Sequence, residues 1–503
     1  LREAVPFSER AYATDPSLWQ AGLLLAKTLN GLRDKQRVLP LLQALHARHP
    51  DNAEIRLELA AQHLHQLGDP CGARALIEPL RQDPAHETDA HLTTLVTELY
   101  DRERPGDALN RDFLAFAAEH LTLALELDLP APPAADTAPD TPPAKGPRRL
   151  RIGLLSPQFF VSPVYFFAFG ALRHLAGATD LIILNRGHKQ DWATQAFRGI
   201  AADWLDVAAL DAEDLARLIA RQNLDAVLDL GGWMDPKGLR ALSTRPAKRL
   251  YKWVGGQSIT TGLTAFDGFI TDAVQTPEGS DHLYAEPLVR VPSGYVSYTP
   301  PPYLPPPALP PAGATVLGIN ANPAKISRGF LTQLAGHFAA WRSAGIEVPS
   351  LRLIDRRYRH EALRQRLQAA LPEVEMDFVV PKDHPDYLGH VASVHALLDT
   401  WPYSGGLTTI EALAMGVPCY TGLGELFCER HTAAHLSYAG MDLSAHRLDA
   451  LQLPLRAEGA RYSLLGRTSP RVNHIALADF LYRHVQTALR RPAVAPGAAR
   501  HLH

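Results

Sequence analysis

Leu397-Leu398-Asp399-Thr400-Trp401-Pro402-Tyr403-Ser404-Gly405-Gly406-Leu407-Thr408-Thr409-Ile410-Glu411-Ala412-Leu413-Ala414-Met415-Gly416-Val417-Pro418 reads as strand, glycine-rich turn, helix, turn and strand. Gly405 and Gly406 let the backbone approach a ligand closely. Leu407, Thr408 and Thr409 open the helix, so unpaired N–H groups and the positive end of the helix dipole face the turn. Such a terminus is a ready seat for a diphosphate. Glu411 lies about one turn in, where a carboxylate can take both hydroxyls of a ribose. A plain helix cap with core packing is the alternative. The order of strand, glycines, helix opening and acid favours a nucleotide site.

Outward from this stretch, short apolar runs alternate with helical pattern. Candidate strands are Leu150–Leu155, Leu181–Leu184, Ala226–Leu230, Arg249–Val254, Gly268–Thr271 and Leu288–Val291, and then Val316–Ile319, Ser350–Ile354, Met376–Val380, Ala396–Leu398 and Pro418–Thr421. That βα rhythm predicts parallel sheets with helices on both faces. Pro300–Pro311 breaks it into two doubly wound domains, 148–299 and 312–503, with a final helix near Ile475–Arg490 that packs back. Open α/β sheets bind ligands at the carboxyl ends of their strands, so the functional residues should follow strands.

Before residue 148 the pattern is helical. Asp15-Pro16, His49-Pro50 and Asp83-Pro84 stand 34 residues apart, and Leu25-Ala26 recurs as Leu59-Ala60. That period, with proline closing the second helix, is the mark of tetratricopeptide repeats, which stack into a solenoid and bind peptides or proteins. An α-solenoid is therefore expected over 1–128. The proline-rich 129–147 reads as a semi-rigid linker.

Composition narrows the function. A formal charge of −3 gives no basic field for nucleic acid. The most apolar run, Phe159–Leu172, is too short for a membrane span and is broken by Ser162 and Pro163. The three cysteines, Cys71, Cys419 and Cys428, form no disulfide framework and suit a reducing compartment, so a cytoplasmic protein is expected. Self-association stays open.

Further strand-end loops add candidates. Gly318-Ile319-Asn320-Ala321-Asn322-Pro323-Ala324-Lys325 can bring Lys325 to a phosphate as a point charge, with Asn322 beside it. After Val380-Pro381-Lys382, Tyr387 can stack on a base or fill the core. In the first α/β domain, Gln158 and Ser162 follow strand one, while Asp229–Trp233 and Trp253-Val254-Gly255-Gly256-Gln257 follow two others. With Tyr403, these form the expected acceptor and sugar wall. Trp233 and Trp253 can stack on a sugar or simply pack. Asp229 is a candidate general base or a loop-capping carboxylate, and Ser162 joins it and Lys325 as a catalytic candidate.

Several stretches resemble the O-GlcNAc transferase family: Arg245-Pro246-Ala247 with Trp253-Val254-Gly255, Ile270-Thr271-Asp272 with Pro277-Glu278, Asn322-x-x-Lys325, Pro381-Lys382, Leu398-Asp399-Thr400, and Gly424-Glu425-x-x-x-x-Arg430. The resemblance implies a tetratricopeptide arm before a GT-B fold of two Rossmann-like domains (glycosyltransferase family 41). The implied reaction is inverting transfer from a UDP-sugar to Ser or Thr of a protein, or in a bacterial branch to Asn, with no cofactor beyond the donor. It also implies roles: Lys325 on the diphosphate with Asn322 and Thr408, Glu411 on the ribose, and Val380, Lys382 and Tyr387 around the uracil. The chain contains no Asp-x-Asp, and Lys325 with the Thr408-Thr409 helix terminus can stabilise the leaving diphosphate, so no metal is expected. Ser162 and Gly406 stand where the family carries histidines, as in a diverged bacterial member. A different nucleotide sugar, as in flagellin-modifying proteins, and an inactive repeat scaffold with a vestigial pocket are the alternatives.

Overall fold

The computed structural model describes residues 3–32, 34–127, 148–306, 313–451 and 470–490. The expected linker at 129–147 and residues 307–312 of the second proline break lie outside them. The chain divides into two compact units: 1–104, 312–394 and 400–403 form one, and 105–311, 395–399 and 404–503 the other. Helices and strands are numbered along the chain.

The first unit begins with α1 (Ala4–Thr14), α2 (Trp19–Gly31), α3 (Lys35–Arg48), α4 (Ala53–His65), α5 (Pro70–Ile77) and α6 (Glu87–Tyr100). Pro16, Pro50 and Pro84 each follow a helical segment, where a missing N–H costs little. Side chains start the next helices: Asn52 accepts from the Ile55 N–H at the head of α4, and Asp69 from the Gly72 N–H at the head of α5. Each helix packs on its sequence neighbour, as a solenoid requires. The repeated pair does equivalent work, with Leu25 and Ala26 buried in α2 and Leu59 and Ala60 in α4. The alanines permit close approach while the leucines supply the apolar area.

The same unit holds β8 (Val316–Ile319), β9 (Ser350–Ile354) and β10 (Met376–Val379), paired in parallel in the order β10-β9-β8. Helices α12 (Arg328–Ser343), α13 (Glu361–Ala370) and α14 (His384–Ala392) connect or follow them.

The second unit begins with α7 (Gly106–Phe116). It contains β1 (Leu150–Ser156), β2 (Thr179–Asn185), β3 (Asp203–Asp206), β4 (Ala226–Asp229), β5 (Leu250–Lys252), β6 (Gly268–Thr271) and β7 (Leu288–Arg290). They form a seven-stranded parallel sheet in the order β3-β2-β1-β4-β5-β6-β7. Helices α8 (Pro163–Ala178), α9 (Trp192–Ile200), α10 (Ala212–Arg221) and α11 (Pro236–Leu242) lie between strands. The strand order reverses between β1 and β4, so the loops after these strands border the crevice where such sheets take ligands. β3 was not expected. It is a short edge strand with aspartates at both ends, so it lacks the apolar run by which buried strands are recognised.

The remaining elements of this unit are β11 (Ala396–Leu398), β12 (Cys419–Tyr420), α15 (Leu407–Ala414), α16 (His431–Tyr438) and α17 (Pro470–Leu489). α17 packs on α8 through Leu477, Ala478, Leu481 and Val485, and the Arg249 guanidinium donates to the Ala488 carbonyl at 2.6 Å. The architecture is a tetratricopeptide-like solenoid followed by a GT-B fold of two Rossmann-like domains.

Candidate active site

In the first unit, β8 is followed by Asn320 and runs on into a one-turn helix, Pro323–Lys325. Asn322 caps that turn, its Oδ1 accepting from the Ala324 N–H at 3.1 Å, and Pro323 supplies the fixed φ of a first helical residue. Lys325 thus leaves the turn at a defined angle, and its Nζ lies 4.1 Å from the centroid of the Tyr403 ring. Tyr403 ends a short segment held by side chains: Thr400 Oγ1 donates to the Tyr403 carbonyl at 2.8 Å, and Ser327 Oγ to the Trp401 carbonyl at 2.5 Å. Asn320 Nδ2 donates to the Tyr387 hydroxyl at 3.0 Å, which ties the β8 loop to α14. The Tyr387 ring stacks on His384, and Val380 and Lys382 are exposed at the end of β10. Asn322, Lys325 and Tyr403 therefore share one surface, with Tyr387 joined to it through Asn320.

The glycine-rich turn lies in the second unit. Its backbone is held from behind by Asp399, whose buried carboxylate accepts from Gly405 N at 2.6 Å, Ser404 Oγ at 2.7 Å and Thr421 Oγ1 at 2.6 Å. Burial raises the pKa of this carboxyl, and those hydrogen bonds oppose the rise. Thr432 completes the support, its Oγ1 donating to the Gly405 carbonyl at 3.0 Å and its N–H to Ser404 Oγ at 2.9 Å. A Cβ on Gly405 would lie 2.8 Å from Thr409 Oγ1 and 2.9 Å from Thr408 Oγ1, so the turn's own hydroxyls require glycine there. Gly406 is less confined, its nearest obstacle being the Phe167 ring at 3.4 Å. Leu407, Thr408 and Thr409 form the first turn of α15. Glu411 is almost fully buried. Near it, the Tyr298 phenol is held far above its ordinary range, first by burial and then by the Glu411 charge.

The crevice loops of the seven-stranded sheet are tightly built. Ser162, before α8, donates from Oγ to the Gln158 carbonyl at 2.9 Å, and Gln158 Nε2 reaches Met234 Sδ at 3.3 Å. Asp229 takes the loop-capping role: its buried carboxylate accepts from Gly231 N at 2.9 Å and Gly232 N at 3.0 Å, with Lys252 Nζ 3.4 Å away. Burial pulls the Lys252 pKa down and Asp229 opposes it. The Lys252 ammonium donates to the carbonyls of Asp229, Val254 and Gly255. It thereby pins a turn in which Val254, a β-branched residue, sits at φ +38°. Gly255 is needed beside it because a Cβ would lie 2.0 Å from the Leu230 carbonyl oxygen. Gln257 is buried, its Nε2 donating to the Ile270 carbonyl.

Both tryptophans pack rather than face an open wall. The Trp233 indole donates to the Thr260 carbonyl at 2.8 Å and lies edge-on to Phe113 at 4.9 Å. Trp253 is wholly buried and donates to the Tyr295 carbonyl at 2.7 Å.

The supports Thr421 and Thr432 were missed because each is one threonine on another element, with no local signal. His435 of α16 was missed as well. It is buried, its Nε2 has no hydrogen-bond partner among the described residues, and its ring lies 6.0 Å from that of Phe167. Burial pushes its pKa down from 6.5 to about 3. An unfolded chain takes up this proton near pH 6.5 and the folded chain does not until near pH 3, so acidification below 6.5 destabilises the fold. The expected loss is about 2 kcal/mol between pH 7 and pH 5. Urea unfolding at both pH values should show a smaller drop for His435→Asn than for the unsubstituted chain; equal drops would refute this.

Among the described residues, no three His, Cys, Asp or Glu side chains cluster in a way that could hold a metal ion. No described helix is long and apolar enough to cross a membrane.

No protein-family model matches the chain. Over 310 residues, 58% of this chain and 32% of the relative, it is 29% identical to a barley (Hordeum vulgare) protein described as a probable UDP-N-acetylglucosamine–peptide N-acetylglucosaminyltransferase SPINDLY. The Arabidopsis thaliana SPINDLY protein is 28% identical over 59% of this chain and 34% of its own length. The chain thus spans about a third of the length of these curated relatives. Among solved structures, a point mutant of the Thermobaculum terrenum O-GlcNAc transferase superimposes with a TM-score of 0.76 at 26% identity, over 96% of this chain and 88% of that one. In sequence and in fold the chain thus resembles the O-GlcNAc transferases, at the distance of a diverged relative.

Proposed function

We propose that this protein is an inverting, metal-independent glycosyltransferase that moves a sugar from a UDP-sugar to Ser or Thr of a protein acceptor. The placement of Lys325 carries the reading: its ammonium stands on a capped strand-end turn against Tyr403, pre-set for a diphosphate. The resemblance gives the N–H groups opening α15 and the Thr408 hydroxyl a diphosphate-binding role as well. Glu411 takes the ribose, and Val380, Lys382 and Tyr387 surround the base. In the reaction the acceptor hydroxyl oxygen bonds to the anomeric carbon from one face while the bond to the β-phosphate oxygen breaks on the other. Lys325 balances the charge released. Because Asp229 is committed to its loop, a donor phosphate oxygen receives the acceptor proton in this mechanism. The repeat arm presents the acceptor protein, and the reaction takes place in the cytoplasm.

A second reading, a nucleotide sugar other than UDP-GlcNAc, is favoured by Ser162 and by Gly406, whose small size leaves the adjoining space to Phe167. Thermal shift against UDP-GlcNAc, UDP-glucose, other UDP-sugars and GDP-sugars separates the two. The true donor at about 100 times its Kd should add about 2.7 kcal/mol of stability. Mass spectrometry of co-expressed proteins then tests transfer. No stabilisation by any nucleotide sugar would leave the inactive scaffold as the better description.

A further inference from the structure

The repeat arm does more than stand in front of the catalytic fold, because it is seated on the turn that carries Lys325. Gly68, after α4, has φ +57°, and a Cβ there would lie 2.6 Å from the Pro323 carbonyl carbon and 2.8 Å from Ala324 N. Ala324 is buried in the arm's own apolar cluster with Ala60, Leu64, Ala73 and Ile77. Just after α6, the Asp101 carboxylate accepts from Arg328 Nε at 3.1 Å, and Glu103 from the same guanidinium at 2.9 Å. Arg366 donates to the Gly68 carbonyl at 2.7 Å. The end of α6 is thereby fixed against the loop. Tyr100, its last residue, stacks on Tyr403 with centroids 5.1 Å apart and planes 12° from parallel. The Tyr403 ring also meets the Lys325 ammonium, 4.1 Å from its centroid.

We propose that Tyr100 of the repeat arm is a positioning residue for the donor site, holding the Tyr403 ring so that the ring fixes the Lys325 ammonium. The inference rests on Lys325 being the diphosphate cation. A free tyrosine ring at the end of a loop samples several rotamers, and a lysine over it follows. A stacked pair restricts the ring and keeps the cation–π contact in place.

The test is UDP binding by calorimetry with the full-length chain. Tyr100→Leu fills the space without an aromatic face and should weaken UDP binding about 5-fold. Tyr100→Phe keeps the stack and should stay within about 2-fold of the unsubstituted chain. In a Lys325→Ala background, Tyr100→Leu should cost nothing further, because the group it positions is gone. A purely structural role predicts the same loss in both backgrounds, and that result, or unchanged binding by Tyr100→Leu, would overturn the proposal. Should Tyr100→Leu not fold, Tyr100→Met is carried through the same cycle with the same outcomes deciding. If the unsubstituted chain does not bind UDP, the reading of Lys325 falls and the inference with it. If Lys325→Ala weakens binding but the Tyr100 cycle is additive, the reading stands and only the inference fails.

Discussion

Lys325→Ala is expected to lower the rate of sugar transfer by about 10²- to 10³-fold while changing stability by less than about 1 kcal/mol. The asymmetry follows from where the side chain sits. Its turn is held by the Asn322 cap and by Pro323 and Ala324, none of which uses the lysine ammonium. The charge matters most when the donor bond breaks and the diphosphate gains negative charge, so the loss should fall mainly on kcat. Lys325→Arg should not restore full activity, since a longer, planar guanidinium spreads its charge where the ammonium concentrates it at one point. Steady-state kinetics with the identified donor, together with urea unfolding of each variant, check both halves. A variant that loses stability and activity in parallel would show that Lys325 serves the fold instead.

Asp399→Ala is expected to cost about 3 kcal/mol of stability and to abolish measurable nucleotide binding. The carboxylate is the common acceptor for the Gly405 N–H, the Ser404 hydroxyl and the Thr421 hydroxyl, all inside the protein. Alanine would leave these donors buried, and the Gly405 amide cannot rotate to find another acceptor. The turn would then lose the alignment that presents the α15 N–H groups. Asp399→Asn should be far milder, about 1 kcal/mol, because its oxygen can still accept from Gly405 while the two hydroxyls rotate to accept from its amide. Urea unfolding and UDP calorimetry on the two variants decide it. Equal losses for Ala and Asn would mean that the charge, and not the hydrogen bonding, holds the turn.

Much of this protein could be read along the chain because the signals are local. The 34-residue proline spacing marks the ends of helical segments, and the apolar runs became the expected strands, since each run carries its own period and its own breakers. The Gly405–Glu411 stretch likewise announced a turn before a helix. What failed locally was short, polar or distant. The edge strand at Asp203–Asp206 has no apolar run to reveal it.

The sequence alone determined the elements and the strand-end loops that carry Lys325, Thr408 and Glu411, because those depend on residue type and near spacing. Tertiary structure decided which neighbours each polar group meets. It committed Asp229 to the Gly231 and Gly232 amides, turned Trp233 and Trp253 into packing, and placed Thr421 and Thr432 behind the turn. It also brought Tyr100, over three hundred positions away in the chain, onto Tyr403. The physical reason is that a buried donor or acceptor must find its partner wherever the fold puts one, and sequence spacing does not encode that distance.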